Sequence, residues 1–190
     1  MKQFLILLLL ATTCACHAQI ITGDENFPGR LRVGAAYVHD FPGVNGPGIY
    51  ADYHFPLNEW IQAGVGIRHI ETSGYPRSQS IKEYTKASAL DLSALFVPFH
   101  TENMAFRVGL VYSFTMYNAK RGYAVYTNHD NQPADVSYQA NESKGKARGM
   151  GLTAEYEYNL NERFAAGAKI SYCQAYTDVL MAGPFVAIKF

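Results

Sequence analysis

Apolar and polar residues alternate along most of this chain, and the alternation limits the fold more than any other feature of the sequence. It recurs in eight blocks after residue 28, where no helical period of 3.6 residues is found. In the fifth and longest block, apolar positions from Met104 to Met116 alternate with small or polar positions from Ala105 to Thr115. Successive residues of a β-strand point to opposite faces, so each block predicts a strand with one apolar face. The sequence therefore predicts an all-β protein of eight strands.

The connections between the blocks also alternate, in length. Those after blocks two, four and six are tight, at residues 56–59, 98–103 and 159–163. Those after blocks one, three, five and seven are longer or richer in Gly and Pro, at residues 41–48, 71–86, 118–146 and 177–183. Short turns at one end and long loops at the other are typical of outer-membrane barrels, whose tilted strands of about ten residues cover an apolar band of about 25 Å. An even number of strands places both ends of the barrel on the short-turn side, in the periplasm.

The composition of the polar face indicates whether the apolar face of the strands points into the barrel or out of it. Alternation alone also fits a soluble barrel with its apolar face inward, as in a lipocalin. A water-facing strand surface favours Lys, Glu and Thr, but here that face carries small residues such as Gly64, Gly66, Gly109 and Gly151. Small side chains suit the narrow interior of an eight-stranded barrel. The predicted fold is an eight-stranded antiparallel up-and-down transmembrane β-barrel.

The charges on the polar face nearly cancel. They are Arg32, Asp52, Arg68, Asp91, Arg107, Glu155, Glu157, Lys169 and Lys189. An uncompensated charge in a closed interior is strongly destabilising, so mixed signs predict a charge network that fills the lumen. Within this network we expect Arg107 to pair with Glu155 or Asp91.

The first residues have the order of a secretory signal peptide: Lys2, an apolar run to Ala11, and small residues up to Ala18. We predict a signal peptide at residues 1–18, a periplasmic segment at residues 19–28 and the barrel at residues 29–190. An alternative is a lipid anchor on Cys14 or Cys16, although the large aliphatic residue usual before such a cysteine is missing.

Cleavage leaves about 172 residues, enough for one domain, with 15 basic against 16 acidic residues. This balance argues against a nucleic-acid partner. Cys173 is then the one remaining cysteine, which excludes an intrachain disulfide or a cysteine metal cluster. No catalytic residue, metal site or cofactor is predicted.

The signal peptide, the eight blocks and the segment Phe185–Phe190 together resemble small outer-membrane β-barrel proteins of the OmpA-transmembrane, OmpX and OmpW type. In that family an aromatic residue with apolar residues at alternate positions before it is part of the signal read by the barrel-assembly machinery. The resemblance therefore implies an assembly signal at Val186, Ile188 and Phe190. It also implies the outer-membrane lipids and that machinery as partners, and the Gram-negative outer membrane as the location.

The longest connection, residues 118–146, is the best candidate for binding a partner. It contains two apolar-aromatic stretches, which include Tyr123 and Tyr126 on one side and Tyr138 on the other. These stretches are expected to extend strands five and six as a protruding hairpin whose edge binds an extracellular ligand or protein by strand addition. The alternative is a mobile loop.

Three functions are compatible with these features. The favoured one is non-enzymatic: envelope integrity, or surface binding through the long loops. The second is a porin-like channel or transporter for a small or apolar solute, but eight strands enclose barely enough room for their own side chains. The third is a lipid-modifying enzyme, which is disfavoured because the His-x-Ser pair of the outer-membrane deacylases does not occur after the signal peptide.

Overall fold

The computed structural model describes residues 29–41, 43–76, 81–127 and 135–190. The predicted signal peptide and the segment up to residue 28 lie outside the described residues. Eight antiparallel strands form a closed barrel in chain order, and β1 pairs with β8 to close it. The strands are β1 Arg30–Phe41, β2 Val44–Pro56, β3 Ile61–Gly74, β4 Glu83–His100, β5 Met104–Thr127, β6 Asp135–Asn159, β7 Phe164–Gln174 and β8 Asp178–Lys189. The predicted fold class is confirmed.

The turns after β2, β4 and β6, on the predicted periplasmic side, are short, and asparagine side chains stabilise two of them. Asn58 Oδ1 accepts backbone N–H groups from Trp60 and Ile61, both at 2.8 Å. Asn161 repeats this arrangement in the β6–β7 turn. Such local side-chain hydrogen bonds satisfy backbone donors that the tight turn leaves without a strand partner.

The outer connections differ from the sequence-based limits, because residues expected in loops extend the strands. β3 and β4 stay paired up to Gly74 and Glu83, and β5 and β6 up to Thr127 and Asp135. The loop limits of 71–86 and 118–146 are therefore wrong. Above a bilayer both faces of a ribbon meet water, so the strands continue without the alternation that marks them lower down. The connections after β1 and β7 are also short, and Gly43 turns the first with a φ of 110°.

The outward face of the barrel is an apolar belt. Leu110, Leu152 and Val186 lie on three different strands, and more than half of each is exposed. Further exposed apolar residues of the belt are Val33, Ile49, Leu90, Leu92, Phe114, Met150 and Ile170. A continuous apolar surface of this extent is not compatible with water on the outside of the barrel. This is the surface of a protein that spans a lipid bilayer with its strands.

The structure has no helix, among the residues it describes, that is long and apolar enough to cross a membrane.

Candidate functional site: the lumen and the outer hairpin

Arg32 lies at the centre of the largest ion network in the lumen. Its Nε is 2.5 Å from Asp52 Oδ1, and its guanidinium also contacts both carboxylate oxygens of Glu155. Lys169 Nζ lies 2.9 Å from Asp52 Oδ2 and 3.6 Å from Glu155. The ring of Phe185 packs against the guanidinium of Arg32, with 5.0 Å between the ring centroid and Arg32 Cζ. Two cations thus neutralise two carboxylates in a buried layer across the barrel, as the stability of buried charges requires.

His54 and Ser93 border this layer without forming a catalytic arrangement. His54 Nε2 is 2.7 Å from Arg32 Nη2, 3.4 Å from Ser93 Oγ and 3.6 Å from Asp52 Oδ1. A Ser-His-Asp triad needs the carboxylate on one ring nitrogen and the serine on the other. Here one nitrogen faces all three groups, and Arg32 donates to it. The histidine is therefore a hydrogen-bond acceptor within the ion network.

Two further charged groups lie above and below the Arg32 layer. Arg68 Nη2 donates to Asp91 Oδ1 and to Ser113 Oγ, both at 3.2 Å. Towards the periplasm, Arg107 Nη2 donates to Glu157 Oε1 at 3.1 Å, rather than to Glu155 or Asp91. Arg107 does face Glu155 in the strand register. Glu155, however, is held by Lys169, its register partner on the neighbouring strand β7, and by Arg32 from across the lumen.

Lys189 is the member of the predicted network that the structure leaves apart. It lines an open cavity of about 420 Å³ at the periplasmic mouth together with Arg30 and Arg107. Among the described residues, it forms no ion pair, whereas Arg30 binds Glu157 at 3.2 Å. Its position near the mouth gives its charge access to water, so it needs no carboxylate partner.

A polar cluster at the outer mouth was missed from sequence. The fully buried Asp40 accepts hydrogen bonds from Arg121 at 2.6 Å and from Thr85 at 3.0 Å. Arg121 also reaches Glu83 at 3.3 Å. Because Glu83 and Arg121 were assigned to loops, only their charge and not their position was visible in the sequence.

Aromatic residues complete this mouth. Tyr176, in the β7–β8 turn, stacks on Tyr117 with ring centroids 5.0 Å apart. Burial and the nearby Asp40 carboxylate raise the pKa of the Tyr176 phenol. Arg121 and the tyrosine pair together close the outer end of the lumen.

The lumen holds little free space between these layers. A cavity of about 30 Å³ lies beside Asp52, Arg68 and Lys169, and one of about 10 Å³ lies beside Arg68 and Tyr176. A buried water needs about 10–15 Å³ of such volume, so the first space holds about two or three waters and the second at most one. The described barrel interior is filled by its own side chains.

The outer parts of β5 and β6 form a two-stranded hairpin that rises above the rest of the barrel. β4 pairs with β5 only as far as Lys120, and β7 pairs with β6 only from Met150 onwards. Arg121–Thr127 pairs with Asp135–Asn141 alone, whereas Glu142–Gly149 pairs with Ser113–Lys120, which also pairs with β4. The β7 side of β6 is therefore without a strand neighbour from Asp135 to Gly149. We call Arg121–Thr127 together with Asp135–Gly149 the outer hairpin.

The three tyrosines singled out from sequence all lie on the outer hairpin. Tyr126 is 69% exposed, and Val136 is its cross-strand partner. Tyr138 pairs with Ala124, which places it diagonally beside Tyr126 on the same face. Tyr123 lies on the opposite face, where its hydroxyl donates to Gln139 at 3.0 Å. One face of the hairpin thus presents Tyr126, Val136 and Tyr138 to the outside.

The residues of the predicted assembly signal lie on the outer face of the barrel. Val186, Ile188 and Phe190 are each between two-fifths and two-thirds exposed. Phe190 N–H donates to Gly29 O at 2.9 Å, beside the start of β1. All three residues therefore face the bilayer at the seam between β1 and β8.

No protein-family model matches the chain, and no curated protein matches it. Several solved structures do match in fold. Neisserial surface protein A aligns with a TM-score of 0.57 and 14% identity, over 87% of this chain and 98% of that one. OprG from Pseudomonas aeruginosa gives 0.56 and 11%, over 86% and 93%.

The attachment invasion locus protein of Yersinia pestis, Ail, gives a TM-score of 0.54 and 11% identity, over 86% of this chain and 99% of that one. At this level of identity the likeness concerns the fold. The chain has the fold of the small eight-stranded outer-membrane β-barrels, which confirms at that level the resemblance drawn from its sequence.

Proposed function

We propose that this outer-membrane barrel is a non-enzymatic surface protein that binds an extracellular partner through its outer hairpin. The observation that carries the proposal is the free edge of β6, which runs from Asp135 to Gly149 without a neighbour on the β7 side. An exposed edge of this length offers backbone donors and acceptors to an incoming strand. Tyr126, Val136 and Tyr138 add apolar contact area beside it.

The filled lumen supports this role over a channel. The ion pairs Arg32–Glu155 and Arg121–Asp40 join strands across the interior. Arg68, which pairs with Asp91, also reaches Cys173 on the opposite side. A solute would have to break at least one of these buried ion pairs to pass, which is strongly unfavourable. We expect purified protein in planar bilayers to give no stepwise conductance. Regular single-channel steps would favour the channel function instead.

Ail, whose name describes an attachment and invasion locus, was also solved in complex with the heparin analogue sucrose octasulfate. The name of this protein of similar fold refers to attachment, which supports a surface role for this chain. The other function considered from sequence, envelope integrity, would not need the outer hairpin.

Photo-crosslinking in intact cells tests the proposal. A photoreactive amino acid at Val136 or Tyr138 is expected to capture a protein partner, whereas one at the lipid-facing Leu152 is not. As a second arm, residues 123–139 are replaced by Asn-Gly, a two-residue turn that joins the paired Gly122 and Ala140. The shortened chain keeps Ala140–Gly149 of the edge but loses the face of Tyr126, Val136 and Tyr138, so it is expected to co-purify with less of the captured protein. Crosslinks at Val136 and Tyr138 that match those at Leu152 would show that surface binding by the hairpin is wrong.

The assembly role of Val186, Ile188 and Phe190 is part of the same proposal. Their exposure at the β1–β8 seam is what an assembly machine that acts on β8 would contact. Phe190→Ser is expected to lower the amount of folded barrel in the outer membrane. Phe99→Ser, at an equally exposed phenylalanine of β4 on the opposite side of the barrel, is expected to lower it less. Equal levels of both variants and the wild type would contradict this role.

A further inference from the structure

A concave surface lies on the outer flank of the barrel, across strands β1 to β6. It encloses about 950 Å³ and is lined by outward-facing apolar residues, including Ile67, Leu90, Phe114 and Met116. Surfaces of this size are in the range that binds small molecules. Because these residues belong to the membrane belt, the apolar part of any occupant lies at the depth of the lipid chains.

A row of cations borders the upper rim of this concavity. Lys144, Lys146 and Arg148 occupy alternate positions of β6, so they share the outward face, about 6.6 Å apart. All three are exposed, and among the described residues none of them forms an ion pair with a carboxylate. Arg148 also stacks over Phe114, with its Cζ 5.8 Å from the ring centroid. This contact holds a guanidinium at the boundary between the apolar surface and the polar rim.

The nearby acidic residues leave this row with an excess of positive charge. Glu71 is engaged by Lys86, at 3.1 Å on β3 and β4. Glu142 is next to Lys144 on the same face of β6, and Lys120 is its partner in the strand register. Lys146 and Arg148, which line the concavity itself, have no such acidic neighbour opposite them: their partners are Met116 and Phe114.

The level of the row matches the headgroups of a bilayer. Arg148 is ten residues from Tyr158, which is exposed near the periplasmic end of β6. In a tilted strand, ten residues cover about 25 Å, the height of the apolar band. The cations therefore lie where the phosphates of outer-leaflet lipids lie, directly above a surface that accommodates acyl chains.

We infer that this flank binds a lipid whose headgroup carries phosphates, with an acyl chain in the concavity and the phosphates on Lys146, Arg148 and Lys144. Arginine and lysine are the usual protein ligands of phosphate, and arginine binds it through two parallel N–H groups. A soluble anion would use the cations alone and leave the concavity without a role. The cations lie on the same stretch of β6 as the free edge, but they use outward-facing side chains, whereas strand addition uses the backbone. The test below uses purified protein without a partner, so it can fail or succeed independently of the proposed function.

Native mass spectrometry of the purified full chain tests the inference, with bisphosphorylated lipid A and its dephosphorylated form as competing probes. The wild type is expected to retain the phosphorylated probe preferentially. In the double variant Lys146→Gln/Arg148→Gln this preference is expected to fall about 25-fold, because each cation near an anionic headgroup contributes about fivefold. The matched control Lys82→Gln/Arg163→Gln removes two exposed charges elsewhere and is expected to keep the preference.

Three results would overturn the site. These are equal retention of both probes by the wild type, an equal loss of preference in the control, and displacement of the lipid by inorganic phosphate at the same concentration. A difference in migration between boiled and unboiled samples verifies that each variant is a folded barrel, and all four substitutions are at exposed positions that do not contribute to the lumen.

Discussion

Strands β5 and β6 are stabilised in two different ways along their length. In the barrel part, each strand pairs with a neighbour on both sides, one face meets lipid, and the other carries buried ion pairs such as Arg107–Glu157. In the outer hairpin, the same strands pair only with each other, and nearly all of Val136–Lys144 is exposed. The comparison indicates that the barrel part of β5 and β6 maintains the structure, whereas the outer hairpin is free to bind a partner. The predictions below change one part and leave the other intact.

The largest effect is expected for Arg32→Met. Removing this guanidinium leaves Asp52 and Glu155 with Lys169 as their one remaining cation in the layer. Loss of one partner from a buried ion network destabilises by about 3–5 kcal/mol. The free energy of unfolding in lipid vesicles, measured by urea titration, is expected to fall by about this amount.

A second substitution sharpens this result. Adding Glu155→Gln to Arg32→Met leaves Asp52 paired with Lys169 and is expected to recover part of the loss in a double-mutant cycle. If the two losses simply add, the layer is not an energetically coupled network.

The next effect is expected for Leu110→Arg, which places a charge on the lipid face of β5. Leu110 lies near the middle of the apolar belt and is half exposed. Arginine near the bilayer midplane destabilises by about 2–4 kcal/mol. The matched control is Tyr126→Arg on the outer hairpin, where a surface change is expected to stay within about 0.5 kcal/mol. Similar losses in the free energy of unfolding for the two variants would contradict the placement of Leu110 in lipid and Tyr126 in water.

Shortening the outer hairpin is expected to have a smaller effect on stability. Replacement of residues 123–139 by Asn-Gly leaves Arg121 in place, so its contacts with Asp40 and Glu83 remain. Because no residue of the barrel loses a neighbouring strand, the free energy of unfolding is expected to change by less than about 1 kcal/mol. A loss as large as that of Arg32→Met would show that the hairpin is part of the barrel's structural core.

The fold could be predicted from sequence where one face of each strand meets lipid and the other meets the lumen, because the two faces then need side chains of different polarity. On β5 the alternation from Met104 to Met116 gave the strand, its facing and its length within the bilayer, because each side chain meets one of two different media. Above Asn118 both media are water, the alternation ends, and residues such as Arg121 look like loop residues although they are paired.

Apart from Lys189, the charges expected in the lumen form ion pairs among the described residues, but the strand patterns did not indicate which of them pair. The charges of Arg32 and Asp52 were visible as polar positions in apolar strands, and they are cross-strand neighbours. Glu155 reaches Arg32 from the opposite side of the barrel, 123 residues away in sequence. That contact depends on the diameter and tilt of the closed barrel, which strand patterns do not determine, and the same limit explains why Arg107 meets Glu157.

Amide hydrogen exchange of the full chain in a lipid bilayer tests most directly whether the outer hairpin has a free edge above a closed barrel. In an antiparallel strand, successive N–H groups point to alternate neighbours. Along Met150–Asn159, where β6 has partners on both sides, every amide is expected to be protected. Along Val136–Gly149, alternate amides are expected to exchange rapidly. Uniform protection of Val136–Gly149 would show that this edge is already occupied and would contradict the account.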